Sequence, residues 1–177
     1  MKQIKGQILG EAIVAMGIIT VGVLGVIGFL AHSIGEGRNI ADQTIAANLA
    51  AEGIEITKNI LDRNSLERFR LGDGMIAWNK DFNMPGFFEV DFRSETLGHQ
   101  VSIVEDRNAL TLLKKERIGD AQFYSYTGAE YTIFRRSVEI KRGINENHIR
   151  VISRVYWIAR AGSSNQVTIS SDFYNWR

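Results

Sequence analysis

The stretch that decides the fold is Lys5-Gly6-Gln7-Ile8-Leu9-Gly10-Glu11-Ala12-Ile13-Val14, which continues as an apolar run to residue 31. Residues 12–31 contain no charged side chain, and these 20 residues are long enough to cross a bilayer as a helix. Glu11 lies directly before them, five residues beyond Gly6. Because a carboxylate is costly inside a membrane, its place at the head of this run points to a function.

This stretch resembles the class III signal peptide of type IV prepilins and pseudopilins. That family has a short basic leader ending in glycine, followed by an apolar helix with glutamate at its fifth position. The resemblance implies that a prepilin peptidase removes residues 1–6 by cutting after Gly6 and methylates the new amino group of Gln7. It also implies that Glu11 pairs with the N-terminus of a neighbouring subunit during assembly.

The residues after the cleavage point depart from the usual family pattern at three places. The first mature residue is normally Phe or Met, and here it is Gln7. The second is commonly Thr and here is Ile8, and the apolar fourth residue is replaced by Gly10. The spacing between the leader glycine and the glutamate follows the family.

Two other kinds of membrane segment share part of this pattern. An uncleaved signal anchor would also show Lys2 and Lys5 before an apolar run, and these lysines would keep the N-terminus cytoplasmic. A Sec signal peptide would need small residues at a cleavage site after the run, and 29–33 offers a poor one. Neither explains the position of Glu11.

Composition sets limits on the rest of the chain. Its 177 residues suffice for one domain and a stem, and 21 basic against 20 acidic residues give no electrostatic footprint for nucleic acid. The chain has no cysteine, so packing alone must hold the outer domain together.

Beyond the apolar run, the pattern predicts an amphipathic helix that continues the stem. A soft spot at 33–38 precedes it, and an apolar stripe recurs at spacings of three and four: Ile45, Leu49, Gly53, Ile56 and Ile60. The small residues of 46–55 resemble those of minor pilins and suit close packing against other helices. The residues at 62–65 predict the end of the helix, with Ser65 capping a short turn.

Strands are predicted for the remainder, after a surface loop at 75–86. The predicted strands are 87–93, 100–104, a hairpin within 110–126, 131–142, 150–158 and a last one around Val167, Ile169 and Phe173. Short connections favour an antiparallel meander. The fold class is therefore α+β, a long N-terminal helix packed against a C-terminal antiparallel sheet, as in type IV pilins.

No catalytic constellation is evident. His32, His99 and His148 are isolated, and we expect neither a catalytic residue nor a cofactor or metal. The arginines at 135, 136, 142 and 150 are open to two interpretations, a basic patch for DNA or, the better one, a solvated sheet face.

These observations predict four parts: a leader 1–6, a transmembrane and filament-core helix 7–31, an amphipathic helix 32–62 and an extracytoplasmic sheet domain 63–177. The resemblance implies a minor pilin or pseudopilin of a type IV pilus or type II secretion filament, held in the inner membrane before assembly. Its partners would be prepilin peptidase, other pilin subunits, the assembly platform and membrane lipid. The alternative is an uncleaved single-pass anchor that carries an extracytoplasmic binding domain.

Overall fold

A computed structural model describes residues 4–71, 77–98, 100–101, 109–143, 147–159 and 162–175, with side chains from Ile8 onward. Helix α1 (Ile4–Leu71) runs without a break through the predicted soft spot at 33–38. Its glycines each cost about 1 kcal/mol of helix propensity, but the segment has no proline to remove a backbone donor. The contacts divide the chain into two units, Met1–Asp42 and Gln43–Arg177. The second of these is called the outer unit below.

The end of the helix lies later in the chain than predicted. Asn64 does not break α1 but is fully buried on the same side of the helix as Leu61. Ser65 does not cap a new turn, because its hydroxyl donates to the carbonyl of Leu61 at 3.0 Å inside the helix. An ion pair between Lys80 and Glu67, 2.7 Å long, ties the last turns to the next segment. Tertiary contacts therefore override the weak helix propensity of these polar residues.

Seven strands and one short 3₁₀ turn (Lys80–Phe82) follow the helix in the part of the chain that the structure describes. The strands are β1 (Gly86–Phe88), β2 (Gln100–Val101), β3 (Leu112–Ile118), β4 (Ala121–Ser125), β5 (Glu130–Arg142), β6 (His148–Ile158) and β7 (Ser164–Tyr174). The predicted hairpin within 110–126 and the last three predicted strands are confirmed. The predicted strand 100–104 extends partly outside the described residues.

All strand pairs are antiparallel, but the sheet is not the predicted meander. Strand β5 is central: β6 lies along one of its edges, and β3 and β1 share the other edge. β3 also lies between β4 and β5, although β4 and β5 are consecutive in the chain. β7 pairs with β6 and forms one side of the sheet.

The sheet packs on the second half of α1, which confirms the α+β fold class and the predicted apolar stripe. One core cluster joins the later helical turns to β1, β5 and β6 and includes Ile56, Ile60 and Val138. A second joins the earlier turns to β3, β5 and β6 through Leu49, Phe134 and Trp157. The alanines at 46 and 50 are fully buried in this packing, so they face the sheet rather than another helix.

Two details of the first strands differ from the prediction. The loop before β1 is not only a surface loop, because Phe82 is fully buried and Trp78 nearly so in the first core cluster. The strand predicted at 87–93 stops early, since Asp91 forms a turn with Ser94: the amide of Ser94 donates to the Asp91 carbonyl at 2.9 Å. The Asp91 carboxylate also accepts from the Arg93 amide, and a side chain bonded to its own turn competes with the ladder.

Candidate functional site

The first half of helix α1 presents large apolar side chains on every side. Between Ile8 and Ile34 these side chains are 51–72% exposed, with Val23 at the lower and Val21 at the upper limit. A helix that is apolar all round is normally buried in a protein core or in a bilayer. Among the residues described, this is the one helix that is long and apolar enough to cross a membrane, judged by length and composition.

Glu11 is the charged residue of this apolar segment. Its side chain is exposed, and no described side chain forms an ion pair with it. Gly6 and Gln7 lie in the first turns of the same helix, while their side-chain surroundings are outside the described part. Glu11 follows Gln7 by four positions, so the two lie about one turn apart on the same helix face.

Glycines mark a second feature of the apolar half. Gly10 and Gly28 are eighteen residues apart, as are Gly17 and Gly35, and this spacing equals five helical turns at about 3.6 residues each. Gly10 and Gly17 are separated by nearly two turns, so all four lie on one face. Each of them has open space where a Cβ atom would be, so a neighbouring helix would meet no side chain at these four points.

The sequence did not predict a role for the best-buried charged side chain of the outer unit, that of Arg136. Its guanidinium is fully buried between α1 and the sheet and donates to the backbone carbonyls of Leu49 at 3.0 Å and Val90 at 2.5 Å. It also pairs with the carboxylate of Glu52 at 3.1 Å. This side chain therefore joins the helix, the central strand and the segment after β1.

These contacts rule out both interpretations for Arg136 alone. Arg136 is neither a solvated residue nor part of a patch, and the Arg135 guanidinium donates to the Leu110 carbonyl. Arg150 is held by Asp172 at 2.8 and 3.0 Å. Arg142 and Arg150 remain exposed on the sheet, as the interpretation of a solvated face expects.

Of the three histidines, His148 has defined partners. Its Nε2 lies 2.7 Å from a carboxylate oxygen of Asp172, and its ring stacks on Tyr174 with the centroids 4.6 Å apart. Hydrogen bonds from Arg150 and His148 lower the pKa of Asp172 to about 2. His32 lies exposed on α1, and His99 is outside the described residues. Within the described ranges, no group of three His, Asp or Glu side chains could hold a metal ion.

No protein-family model, curated protein or solved structure matches the chain.

Proposed function

We propose that the chain is a structural subunit, a minor pilin or pseudopilin, of a type IV pilus or type II secretion filament. The observation that carries the proposal is helix α1, whose first half exposes apolar side chains all round while its second half packs on a sheet. Such a helix needs two environments. The bilayer covers its first half before assembly, and the same helices of neighbouring subunits cover it afterwards.

The size of the exposed apolar surface supports this reasoning. Burying one large aliphatic side chain stabilises by about 1.5–3 kcal/mol, and the segment carries many that the chain itself leaves exposed. Transfer from lipid to a bundle of similar helices changes this term little, because lipid tails are about as apolar as leucine. Close packing must then provide the cohesion, and the face with Gly10, Gly17, Gly28 and Gly35 suits it.

Glu11 sets the register in this proposal. Cleavage after Gly6 would leave a protonated amino group on Gln7, since the reference pKa of an α-amino group is about 7.7–8.0. Glu11 of one subunit would pair with that group on a neighbour, which removes an unpaired charge from an apolar environment. Most of the attraction offsets desolvation, so the pair selects the position of the incoming subunit more than it strengthens the filament.

The outer unit would be carried on the filament surface in this account, outside the cytoplasm. Lys2 and Lys5 lie before the apolar run, and positive residues at that end favour a cytoplasmic N-terminus. An uncleaved anchor with a binding domain is the rival function. It requires the same membrane crossing but neither removal of residues 1–6 nor incorporation into a filament.

Filament incorporation tests the proposal. Cells that produce the chain are sheared, and the filament fraction is compared with the membrane fraction by immunoblotting for the wild type, Glu11→Ala and Glu36→Ala. We expect wild type and Glu36→Ala in filaments, because Glu36 is exposed on the same helix but outside the apolar run. Glu11→Ala should be processed normally and stay in the membrane. Normal incorporation of Glu11→Ala would contradict the pairing, and absence of all three chains from filaments would contradict the proposed function.

A further inference from the structure

Strand β7 (Ser164–Tyr174) lies at the edge of the sheet that the described residues form. It pairs with β6 in an uninterrupted register from His148↔Tyr174 to Ile158↔Ser164, and no described strand pairs with its other side. Just beyond the two ends of this ladder, the amide of Asn175 donates to the carbonyl of Asn147, and the amide of Ala159 donates to the carbonyl of Ser163. In an antiparallel ladder, every second residue bonds the neighbouring strand. Because residues 163 and 175 are bonded in this way, the odd-numbered residues of β7 bond β6, and the backbone groups of the even-numbered residues point away from it.

Over residues 166–174 the outward row therefore consists of the backbone N–H and C=O groups of Gln166, Thr168, Ser170, Asp172 and Tyr174. Soluble proteins usually protect such an edge with lysine, proline, a bulge or a very short strand. β7 has none of these features: it is 11 residues long, and Asp172 is its one charged residue. That charge is already paired with Arg150.

A groove of about 720 Å³ adjoins the end of this edge. One wall consists of the last turns of α1, and the other consists of Asp172, Phe173, Tyr174 and Asn175 of β7 and the residue after it. Large apolar side chains of the helical wall remain exposed: Leu66 by 68% and Phe69 by 80%. The outward backbone groups and the groove meet at Asp172 and Tyr174.

We propose that the edge of β7 and this groove bind an extended segment of a partner polypeptide, which joins the sheet as a further strand. Another extended backbone is the ligand that matches a row of alternating donors and acceptors. Side chains of an added strand point alternately to the two faces of the sheet, so every second one faces α1 and the groove. The partner segment is therefore apolar at every second residue, while its other side chains are polar.

A second copy of this chain is a poorer match as the donor of that strand. Apart from β7 itself, the outermost strands among the described residues are β2, with two residues, and β4, with five. Neither can cover the length of β7. Pairing between two β7 strands is the remaining possibility, and it is one outcome of the test below.

The test uses the full-length chain in detergent micelles and a fluorescent peptide that alternates valine and threonine over about seven residues between two lysines, an ordinary strand length. Two control peptides have the same sequence and carry N-methyl groups on all valines or on all threonines. A strand directs alternate N–H groups to opposite edges, so one methylated peptide should bind within about twofold of the parent and the other at least about tenfold more weakly. Equal affinity of the two, or no binding of the parent at about 1 mM, would overturn the proposal.

Variants of the chain locate the binding. Ser170→Pro removes an outward N–H without touching the β6 ladder, so it should weaken binding of the parent peptide at least about tenfold, whereas Ser170→Ala should not. Phe69→Ala should weaken it several-fold, and Ile118→Ala, at an exposed apolar residue of β3, should not. If Phe69→Ala and Ile118→Ala bind the parent peptide with the same affinity, the groove does not contribute to binding, and that part of the proposal is wrong.

Sedimentation of the same full-length samples identifies the rival occupant. A dimer that Ser170→Pro abolishes would show that a second copy covers the edge, and this result would overturn the proposal. A monomer with intact peptide binding supports it. Because the site lies wholly within Gln43–Arg177, none of these results depends on cleavage after Gly6.

Discussion

The guanidinium of Arg136 lies 3.1 Å from the carboxylate of Glu52, and this ion pair connects the central strand of the sheet to helix α1. The Arg136 side chain is fully buried, whereas 31% of the Glu52 side chain is exposed. The arginine therefore depends on the pair more than the glutamate does, because Glu52 retains access to water. The carbonyls of Leu49 and Val90 complete the set of acceptors.

Arg136→Met should destabilise the outer unit by about 1–3 kcal/mol, the cost of leaving a buried carbonyl without its hydrogen-bond donor. The substitution leaves the Val90 carbonyl without its donor and a gap beside the helix. Thermal unfolding of the full chain in detergent, followed by near-ultraviolet circular dichroism, measures the effect. Glu55→Gln, at an exposed position of the same helix, is the control. An unchanged transition for Arg136→Met would show that the buried pair contributes nothing net.

The contact between Gly53 and Ser153 sets how closely the helix approaches the sheet. A Cβ atom on Gly53 would lie 2.5 Å from the hydroxyl oxygen of Ser153 and 3.2 Å from the Arg136 side chain. Gly53→Ala should therefore cost about 1–3 kcal/mol, although alanine favours a helix by about 1 kcal/mol.

Ser153→Ala should relieve part of this cost. The Ser153 hydroxyl has no hydrogen-bond partner among the described groups, so removing it loses little. The double variant should be more stable than the sum of the single effects predicts, by about 0.5–3 kcal/mol. Strict additivity in the same unfolding experiment would contradict the close approach.

Low pH should weaken the contact between the ends of β6 and β7. Hydrogen bonds from Arg150 and then His148 lower the pKa of Asp172 from 3.8 to about 2. The folded chain thus holds this carboxylate unprotonated where the unfolded chain begins to protonate it. The resulting stabilisation is present above about pH 4 and is lost as the pH falls towards 2. Thermal unfolding of wild type and Asp172→Asn should differ at about pH 5 and converge near pH 2, and a constant difference would contradict this assignment.

The glycine face of α1 makes a prediction about assembly. Gly28→Leu places a large side chain on the face shared with Gly10, Gly17 and Gly35, and it should reduce incorporation into filaments. Gly22→Leu makes the same chemical change about a third of a turn away from that face and should be tolerated. The ratio of filament to membrane protein in sheared cells measures both. Equal loss for the two variants would mean that the face has no special part in packing.

The sequence predicted the fold class and the helix stripe because both depend on periodicity. Position 136 shows a limit of the same method. Phe134, Val138 and Ile140 were assigned to one strand face, and the two-residue period places Arg136 on that inward face as well. The charge of Arg136 favoured an exposed position in the sequence analysis. Its burial is explained by its partners at Glu52, Leu49 and Val90, which the local pattern does not contain.

The other differences depend on distant contacts that local patterns do not contain. The helix continues past 62, where Glu67 pairs with Lys80 of the next segment, although the buried Asn64 amide has no hydrogen-bond partner among the described groups. The order of strands around β5 is set by pairing between segments far apart in the chain, which turn lengths alone do not determine. Cleavage after Gly6, methylation of Gln7 and pairing of Glu11 remain predictions from the resemblance.

The most direct test of the account is the intact mass and N-terminal sequence of the membrane-extracted chain, produced with and without a prepilin peptidase. With the peptidase, we predict a product that begins at Gln7, lacks residues 1–6 and carries one added methyl group. Gly6→Val should stay uncut in the same cells, and Gly10→Val should be processed like the wild type. A chain that keeps residues 1–6 beside a peptidase that processes another prepilin would contradict the account, and the chain would then be a plain membrane anchor.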